Sequence, residues 1–476
     1  MIFFKKLFRS VIYLVLIIIF IIIVRAWGSR SMPKLYPWHT IRTDKELLIA
    51  NKYNNIDTYL KDEDAYIRNI FAKVADSTNG RYNRFNPKSS AYPLSKDDNL
   101  NASFVYDPGA KNTKGVILLL HGLSDSPYHM RALGWVFREE GFYVLGLRLP
   151  GHGTLPSGLL NVTWQQWVKA TVWGAKQLQK IVNERNNVPF YLGGFSTGGA
   201  LALNYTFKAM NDNKLLKPEK LFLFSPAIGV DKMARFAAWH KSLSWMNYFN
   251  KYSWLDILPE YDPAKYNSFT KNAGRQIYLL TLENKDLVQI IANTNQQNEL
   301  PPIIAFQSLV DDTVIPKDLI DMYQKIGTSK DELFVYDINR AYLDFIQQGA
   351  LQIDPRTIDF KQTNKPRLHM LINDVNFDSI LGPNACAVYE RGTDEELIDQ
   401  YPDNHMSWPE EFFAISHVSI PISPDNVDYG ASSILGKMSV HGERNVLLIP
   451  SDDLMRIRYN PFFDLMEMEI RDFLKK

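Results

Sequence analysis

Residues 191–205 read YLGGFSTGGALALNY, and a single serine, Ser196, stands among four glycines. Glycine loses more backbone entropy on folding than any other residue, so such a cluster marks a tight turn or a close approach of backbones. The local spacing, Gly194-Phe195-Ser196-Thr197-Gly198, is G-x-S-x-G, with apolar residues before it and helix formers after it. A serine at a sharp strand-to-helix turn projects from the top of a sheet, where it can act as a nucleophile. The helix behind it aims backbone N–H groups and the positive end of its dipole at the reacting centre. The plainer alternative is a glycine-rich turn carrying an ordinary serine. A serine nucleophile also needs donors for the oxyanion it creates. The segment LLLHGLSDSPYHM places His121-Gly122-Leu123 directly after an apolar run. The N–H groups of Leu123 and Thr197 are the candidate donors, and losing one such donor typically costs about 2.7–4 kcal/mol in the barrier. His121 lies too early in the chain for the base and is expected to support the loop.

These residues need elements to hold them. Residues SFVYD, GVILLLHG, FYVLGLRLPGHG, PFYLGGFS, KLFLFSPAIG and PIIAFQSLVDD read as strands. Between them, SPYHMRALGWVFREEG, TWQQWVKATVWGAKQLQKIVNER and a segment from Gly198 read as helices. Apolar strands alternating with helices predict a mostly parallel sheet covered on both faces. Residues 231–300 interrupt this pattern with a dense aromatic segment, in which Phe236, Trp239, Leu243, Met246 and Phe249 recur at helical spacing. This insertion is expected to be a helical cap over the sheet's C-terminal edge, with Phe236, Trp239 and Trp245 as candidate substrate contacts. Residues 31–101 read as a helical segment and linker, with amphipathic helix over 44–76. The α/β core divides into 102–230 and 301–476, the latter with an insertion at 338–411.

The motifs HGLSDSPYHMRAL, LRLPGHGTLPSGL, GGFSTGG and SLVDDTV together resemble the α/β-hydrolase superfamily, and within it the monoglyceride lipase, lysophospholipase and serine aminopeptidase branch of bacterial hydrolases. The resemblance runs from about Ala102 to the C-terminus and implies a Ser-Asp-His chain order. It places the acid after a later strand, where Asp311 and Asp312 stand side by side. Asp311 with Val314 matches the family's D-x-x-V, and Asp312 is the rival. The base is expected at His417, after EFFAIS and within SHVSIPISPDNVDYG, with His405 and His441 as rivals. In simpler relatives the histidine follows the strand that here reads DELFVYDINRA, where none occurs. The resemblance implies that Ser196 attacks an acyl carbonyl as His417 takes its proton. Asp311 orients the imidazole, the Leu123 and Thr197 amides hold the oxyanion, and water releases the acyl group. No cofactor and no metal is expected.

The 476 residues suffice for two or three ordinary domains or one large α/β domain with insertions, and 46% are hydrophobic. Lys+Arg 53 against Asp+Glu 52 leaves no basic surplus for nucleic acid. Cys386 is the one cysteine, which excludes an internal disulfide and a Cys-rich zinc site. Neither a P-loop nor His-Glu-x-x-His is present. Lys5, Lys6 and Arg9 precede an apolar run over residues 11–24 that Arg25 ends, and VRAWGS is a poor cleavage site. Residues 1–30 are expected to be an uncleaved single-pass N-terminal anchor, with a cleaved signal segment as the alternative, and the catalytic domain on the non-cytoplasmic side. The expected function is hydrolysis of carboxylic esters, lipid-derived ones such as monoacylglycerols or lysophospholipids. A serine peptidase or amidase of the same fold, and a catalytically silent binding protein, are the alternatives.

Overall fold

The computed structural model describes residues 2–43, 53–75, 80–94, 98–230, 247–337, 366–373, 386–391, 397–400, 415–433 and 456–476. Strands β1 (Phe104–Tyr106), β2 (Gly115–Leu120), β3 (Phe142–Leu147), β4 (Phe190–Phe195) and β5 (Lys220–Phe224) make the first half of the sheet. A small pair, β6 (Trp254–Asp256) and β7 (Phe269–Thr270), stands apart. The sheet continues through β8 (Ile303–Ser308), β9 (Glu332–Tyr336), β10 (Arg367–Asn373), β11 (Cys386–Arg391) and β12 (Leu397–Gln400). The order is β1-β3-β2-β4-β5-β8-β9-β10-β11-β12. β3 through β10 pair in parallel, while β1 at one edge and β11 and β12 at the other are antiparallel. This is the α/β-hydrolase architecture the sequence predicts.

Why the inner strands are continuous apolar runs is plain from burial: every residue of β2, β3, β4, β8 and β9 is buried. Successive side chains of a strand point to opposite faces. Val116, Leu118 and Leu120 of β2 therefore join one core, and Ile117 and Leu119 join the other. Among the described residues, eight longer helices accompany the sheet: α1 (Ile2–Ser31), α2 (Ile56–Val74), α3 (Arg131–Glu139), α4 (Trp164–Glu184), α5 (Thr197–Asn211), α6 (Lys271–Thr294), α7 (Pro316–Ile326) and α8 (Phe463–Lys475). The first core is closed by α4, α5, α6 and α7, through Trp167, Leu201, Ile277 and Leu319. The second is closed by α3 and α8, through Leu133, Phe137, Ile470 and Phe473.

Two segments differ from their sequence reading. Residues 271–294, expected as part of a cap, form α6, which buries Ile277, Leu280, Val288 and Ile291 in the main core. Asn284 of α6 donates to the Ala200 carbonyl and accepts from Asn204, both on α5. That helix is therefore the crossover from β5 to β8, because its apolar stripe is spent on the sheet. The aromatic stripe at Phe236 and Trp239, with Trp245, lies outside the described residues, as do residues 44–52 of the expected N-terminal helix.

The N-terminal region is no mere linker. Asn55 caps α2 by accepting from the N–H groups of Asp57 and Thr58, at 2.7 and 3.2 Å. Tyr53, Ile56 and Tyr59 enter the main core, while Ile67, Phe71 and Val74 pack with Trp38, Phe85 and Leu155. Glu63 of α2 meets Arg148 at 2.8 Å, with neither side chain exposed. Glu63 also accepts from the Ser103 N–H at 2.6 Å and from the Tyr59 hydroxyl, and Arg148 donates to the His152 carbonyl at 2.8 Å. Breaking one side of such a buried pair strands the other charge. Glu63→Ala should cost about 3–5 kcal/mol in urea unfolding, and Glu63→Leu with Arg148→Met should recover most of that loss. A loss below about 1 kcal/mol for Glu63→Ala would mean that the pair does not tie α2 to the core.

Candidate active site

β2 connects to β3 on one side and β4 lies on its other side, so the carboxyl ends of β2 and β4 flank the point where the strand order reverses. Open α/β sheets bind ligands at this point. β4 ends at Phe195, α5 starts at Thr197, and Ser196 between them has φ 53° and ψ −115°. A non-glycine residue with positive φ is strained and persists only where its surroundings hold it. Here the Ser196 N–H donates to the Phe224 carbonyl at 2.9 Å, and its own carbonyl accepts from Ala200 and Ala227 at 3.1 and 3.0 Å. The glycines are needed for close approach. A Cβ on Gly198 would lie 2.0 Å from the Leu120 carbonyl oxygen of β2, and one on Gly194 would lie 2.2 Å from the Gly198 carbonyl carbon.

The loop after β2 is equally constrained. The Leu149 N–H donates to His121 Nε2 at 3.0 Å, so Nδ1 carries the proton and donates to the Gly122 carbonyl at 2.8 Å. Burial, followed by the neighbouring His152, pushes His121 well below the ordinary histidine range. It is a neutral strut for the loop, as the sequence suggests, with both ring nitrogens occupied. The Ser124 carbonyl accepts from the Tyr266 N–H at 2.8 Å, and Asp125 meets Lys265 at 2.6 Å. A segment just before β7 thus clamps the loop that carries Leu123. Among the described residues, neither the Leu123 N–H nor the Thr197 N–H has an acceptor. Each is available to a developing oxyanion.

Asp311 follows β8 and is buried, whereas the Asp312 side chain is three-quarters exposed and pairs with Arg456 at 3.0 Å. Asp311 Oδ1 accepts from the N–H groups of Thr313 and Val314, at 2.9 and 3.0 Å. Its Oδ2 accepts from His417 Nδ1 at 2.6 Å and from Gln307 Nε2 at 3.0 Å. Burial alone would raise the Asp311 carboxyl. The facing His417 and the hydrogen bonds from His417, Val314 and Thr313 outweigh it and hold the carboxyl below its ordinary range. With Nδ1 committed to Asp311, His417 keeps Nε2 for proton transfer. Its ring stands 4.9 Å from that of Phe195, the residue immediately before Ser196. His417 opens a short helical turn, His417–Ser419, fastened by Ile415 and Ile420 in the second core and by the Ser416 hydroxyl donating to the Ile457 carbonyl at 2.5 Å.

The structure thus brings Ser196, Asp311 and His417 to one end of the sheet, with Leu123 and Thr197 beside them, and leaves Asp312 at the surface. His405 and His441 lie outside the described residues, as does most of EFFAIS. Among the described residues, no cluster of His, Cys, Asp and Glu could hold a metal ion. Sequence reasoning missed Gln307, Asp125 and Lys265. Gln307 had a signal, a polar side chain ending an apolar run. Lys265 had none, because its partner is 140 residues away.

The clamp generates a pH prediction. Burial raises the Asp125 carboxyl, but Lys265, then His129, more than offset it and hold it at about 2 against an ordinary 3.8. A carboxyl depressed by folding stabilises the fold above its unfolded value and loses that contribution as pH falls through the folded one. Wild type should therefore lose roughly 2 kcal/mol more than Lys265→Met between about pH 4 and pH 2, read by urea unfolding at each pH. Parallel stability curves for the two proteins would remove the clamp.

The profile of the family described as serine aminopeptidase, S33, matches residues 111–338. A thermostable monoacylglycerol lipase of Bacillus sp. (strain H-257) is 31% identical over 94 residues, which are 20% of this chain and 36% of that protein. The match therefore spans about a third of the relative's length. Among solved structures, one from work on LipS and LipT, two metagenome-derived lipolytic enzymes, aligns with 49% of this chain and 86% of its own, at 20% identity and a TM-score of 0.39. A soluble variant of the monoglyceride lipase of Saccharomyces cerevisiae, in complex with a substrate analog, aligns with 50% and 82%, at 13% identity and a TM-score of 0.39. Residues 111–338, which hold the serine turn, the loop after β2 and Asp311, are thus similar to the family described as serine aminopeptidase, S33.

Proposed function

We propose that this protein is a serine hydrolase of carboxylic esters, resembling monoacylglycerol lipases, that works through an acyl-enzyme. The observation that carries the reading is the 2.6 Å hydrogen bond from His417 to Asp311, set beside the serine turn. Ser196 attacks the acyl carbonyl while His417 Nε2 takes its proton, and the ionised Asp311 stabilises the imidazolium. The Leu123 and Thr197 amides receive the oxyanion, and the proton returns through His417 to the leaving alcohol. Water, activated by the same histidine, then releases the acid. Ester preference is supported by the likeness to the Bacillus lipase. The family's own description favours a second reading, peptide hydrolysis by the same groups.

Activity against parallel panels of nitrophenyl esters, monoacylglycerols and aminoacyl anilides separates the two readings. Ser196→Ala should lower ester turnover on the order of 10⁶-fold and abolish fluorophosphonate labelling, with His417→Ala comparably damaging and Asp312→Ala near wild type. Unlabelled wild type would leave a silent binding protein. Medium or long acyl chains should be preferred over acetate at about 0.8 kcal/mol per buried methylene, and Trp239→Ala should blunt that preference. A profile that peaks at acetate would remove the lipid substrate.

We further propose that α1 anchors the catalytic domain to a membrane, with that domain on the non-cytoplasmic side. Among the described residues no helix is long and apolar enough to cross a membrane, and the side chains at positions 18 and 21–23 of α1 lie outside them. Support comes from the 30-residue length of α1, about 45 Å at 1.5 Å per residue, and from the exposure of Val11 through Ile17. The end of α1 also meets the protein body, where Lys251 donates to the Met32 carbonyl at 2.9 Å. Full-length protein should resist carbonate extraction from membranes, while a chain starting at Met32 should be released and remain active. Extraction of the full-length chain would refute the anchor, and protease protection of sealed vesicles reads its orientation.

A further inference from the structure

β8 is apolar from Ile303 to Phe306 and then carries Gln307, whose side chain is 1% exposed. Two acceptors decide how that amide is turned. Nε2 donates to the Ser308 carbonyl and to Asp311 Oδ2, each at 3.0 Å. Reversing the amide would set Oε1 against a carbonyl and a carboxylate at once. In the orientation adopted, Oε1 is buried without a hydrogen-bond partner among the described residues. A methionine of similar volume would carry no such desolvation cost, so the amide is retained at a loss that packing does not explain. Its benefit lies on Asp311. An ionised carboxylate offers about four acceptor positions. Thr313 and Val314 fill two on Oδ1, and His417 and Gln307 fill two on Oδ2. Without Gln307, Oδ2 would have His417 as its one hydrogen-bond donor.

We propose that Gln307 is a positioning residue for the hydrolytic site: its bond to Oδ2 fixes that oxygen in line with His417 Nδ1. This rests on Asp311 acting as the acid. Among the described residues, His417 is the ionisable group that faces Asp311, since neighbouring Asp312 is turned to Arg456 at the surface. Removing a donor from Oδ2 leaves that oxygen free to turn away from His417 Nδ1, so the loss should fall on kcat rather than on KM.

The test compares Gln307→Met, Gln307→Glu and Asp311→Asn with wild type in the full chain, measuring kcat and KM for a nitrophenyl ester at neutral pH, with thermal unfolding as a check of folding. Gln307→Met should lower kcat roughly tenfold with KM within about twofold. Gln307→Glu, nearly isosteric, should lose more activity at neutral pH, because a second carboxylate beside Oδ2 repels the first. A folded Gln307→Met with wild-type kcat overturns the proposal, as does a change confined to melting temperature. If Gln307→Met does not fold, wild-type kcat in Gln307→Glu overturns it equally. Asp311→Asn separates the two failures. Full activity there removes Asp311 as the acid, whereas an inactive Asp311→Asn beside an unaffected Gln307→Met removes the role of Gln307 alone.

Discussion

The first turn of α5 presses directly on the end of β2, with room for no side chain at Gly198 and the Leu120 carbonyl oxygen 2.0 Å from where one would begin. Much else is set by this approach. It brings the β4–α5 turn against the end of β2 and the start of its loop, although Gly198 and His121 are far apart in the chain. It also forces Ser196 to φ 53°, a strain that the bond to Phe224 on the neighbouring strand helps to hold.

Around this contact the protein spends buried polar groups on orientation. Two histidines stand near the same sheet edge with opposite roles, and their partners decide which does what. His121 has both nitrogens occupied by backbone groups and is held neutral by burial. His417 has one nitrogen tied to a carboxylate and one left for chemistry. The Asp125–Lys265 pair and the Glu63–Arg148 pair lie farther out and fasten the oxyanion loop and α2. Buried pairs of this kind add little net stability over apolar replacements but penalise every arrangement that separates them. They therefore serve geometry more than stability.

Where the chemistry is local, the sequence is readable. The inner strands are unbroken apolar runs because both faces are covered, and the serine turn shows because only glycine fits it. Asp311 and Asp312 illustrate the limit. Adjacent in the chain, they differ because one side chain turns inward to four donors and the other outward to Arg456, and that depends on how β8 ends. The long route to His417 has a structural cause as well. β10, β11 and β12 extend the sheet beyond β9, so the chain builds further strands before it returns to the site. Residues 271–294, expected as part of the cap, mislead for the opposite reason. An amphipathic stripe specifies that one face is buried, not which surface buries it.

The sequence by itself determined the mostly parallel sheet and the glycine-flanked turn that carries Ser196. These depend on the period of apolar residues and on turns a few residues long. Only the tertiary structure decided which aspartate faces His417, that His121 is a strut, that Gln307 donates to Asp311 and Lys265 to Asp125, and that α2 is part of the core. Each of those facts is a contact between residues that are far apart in the chain or differently turned at neighbouring positions. Such contacts leave no periodic trace, because the forces that select them act only once the sheet has brought the partners together.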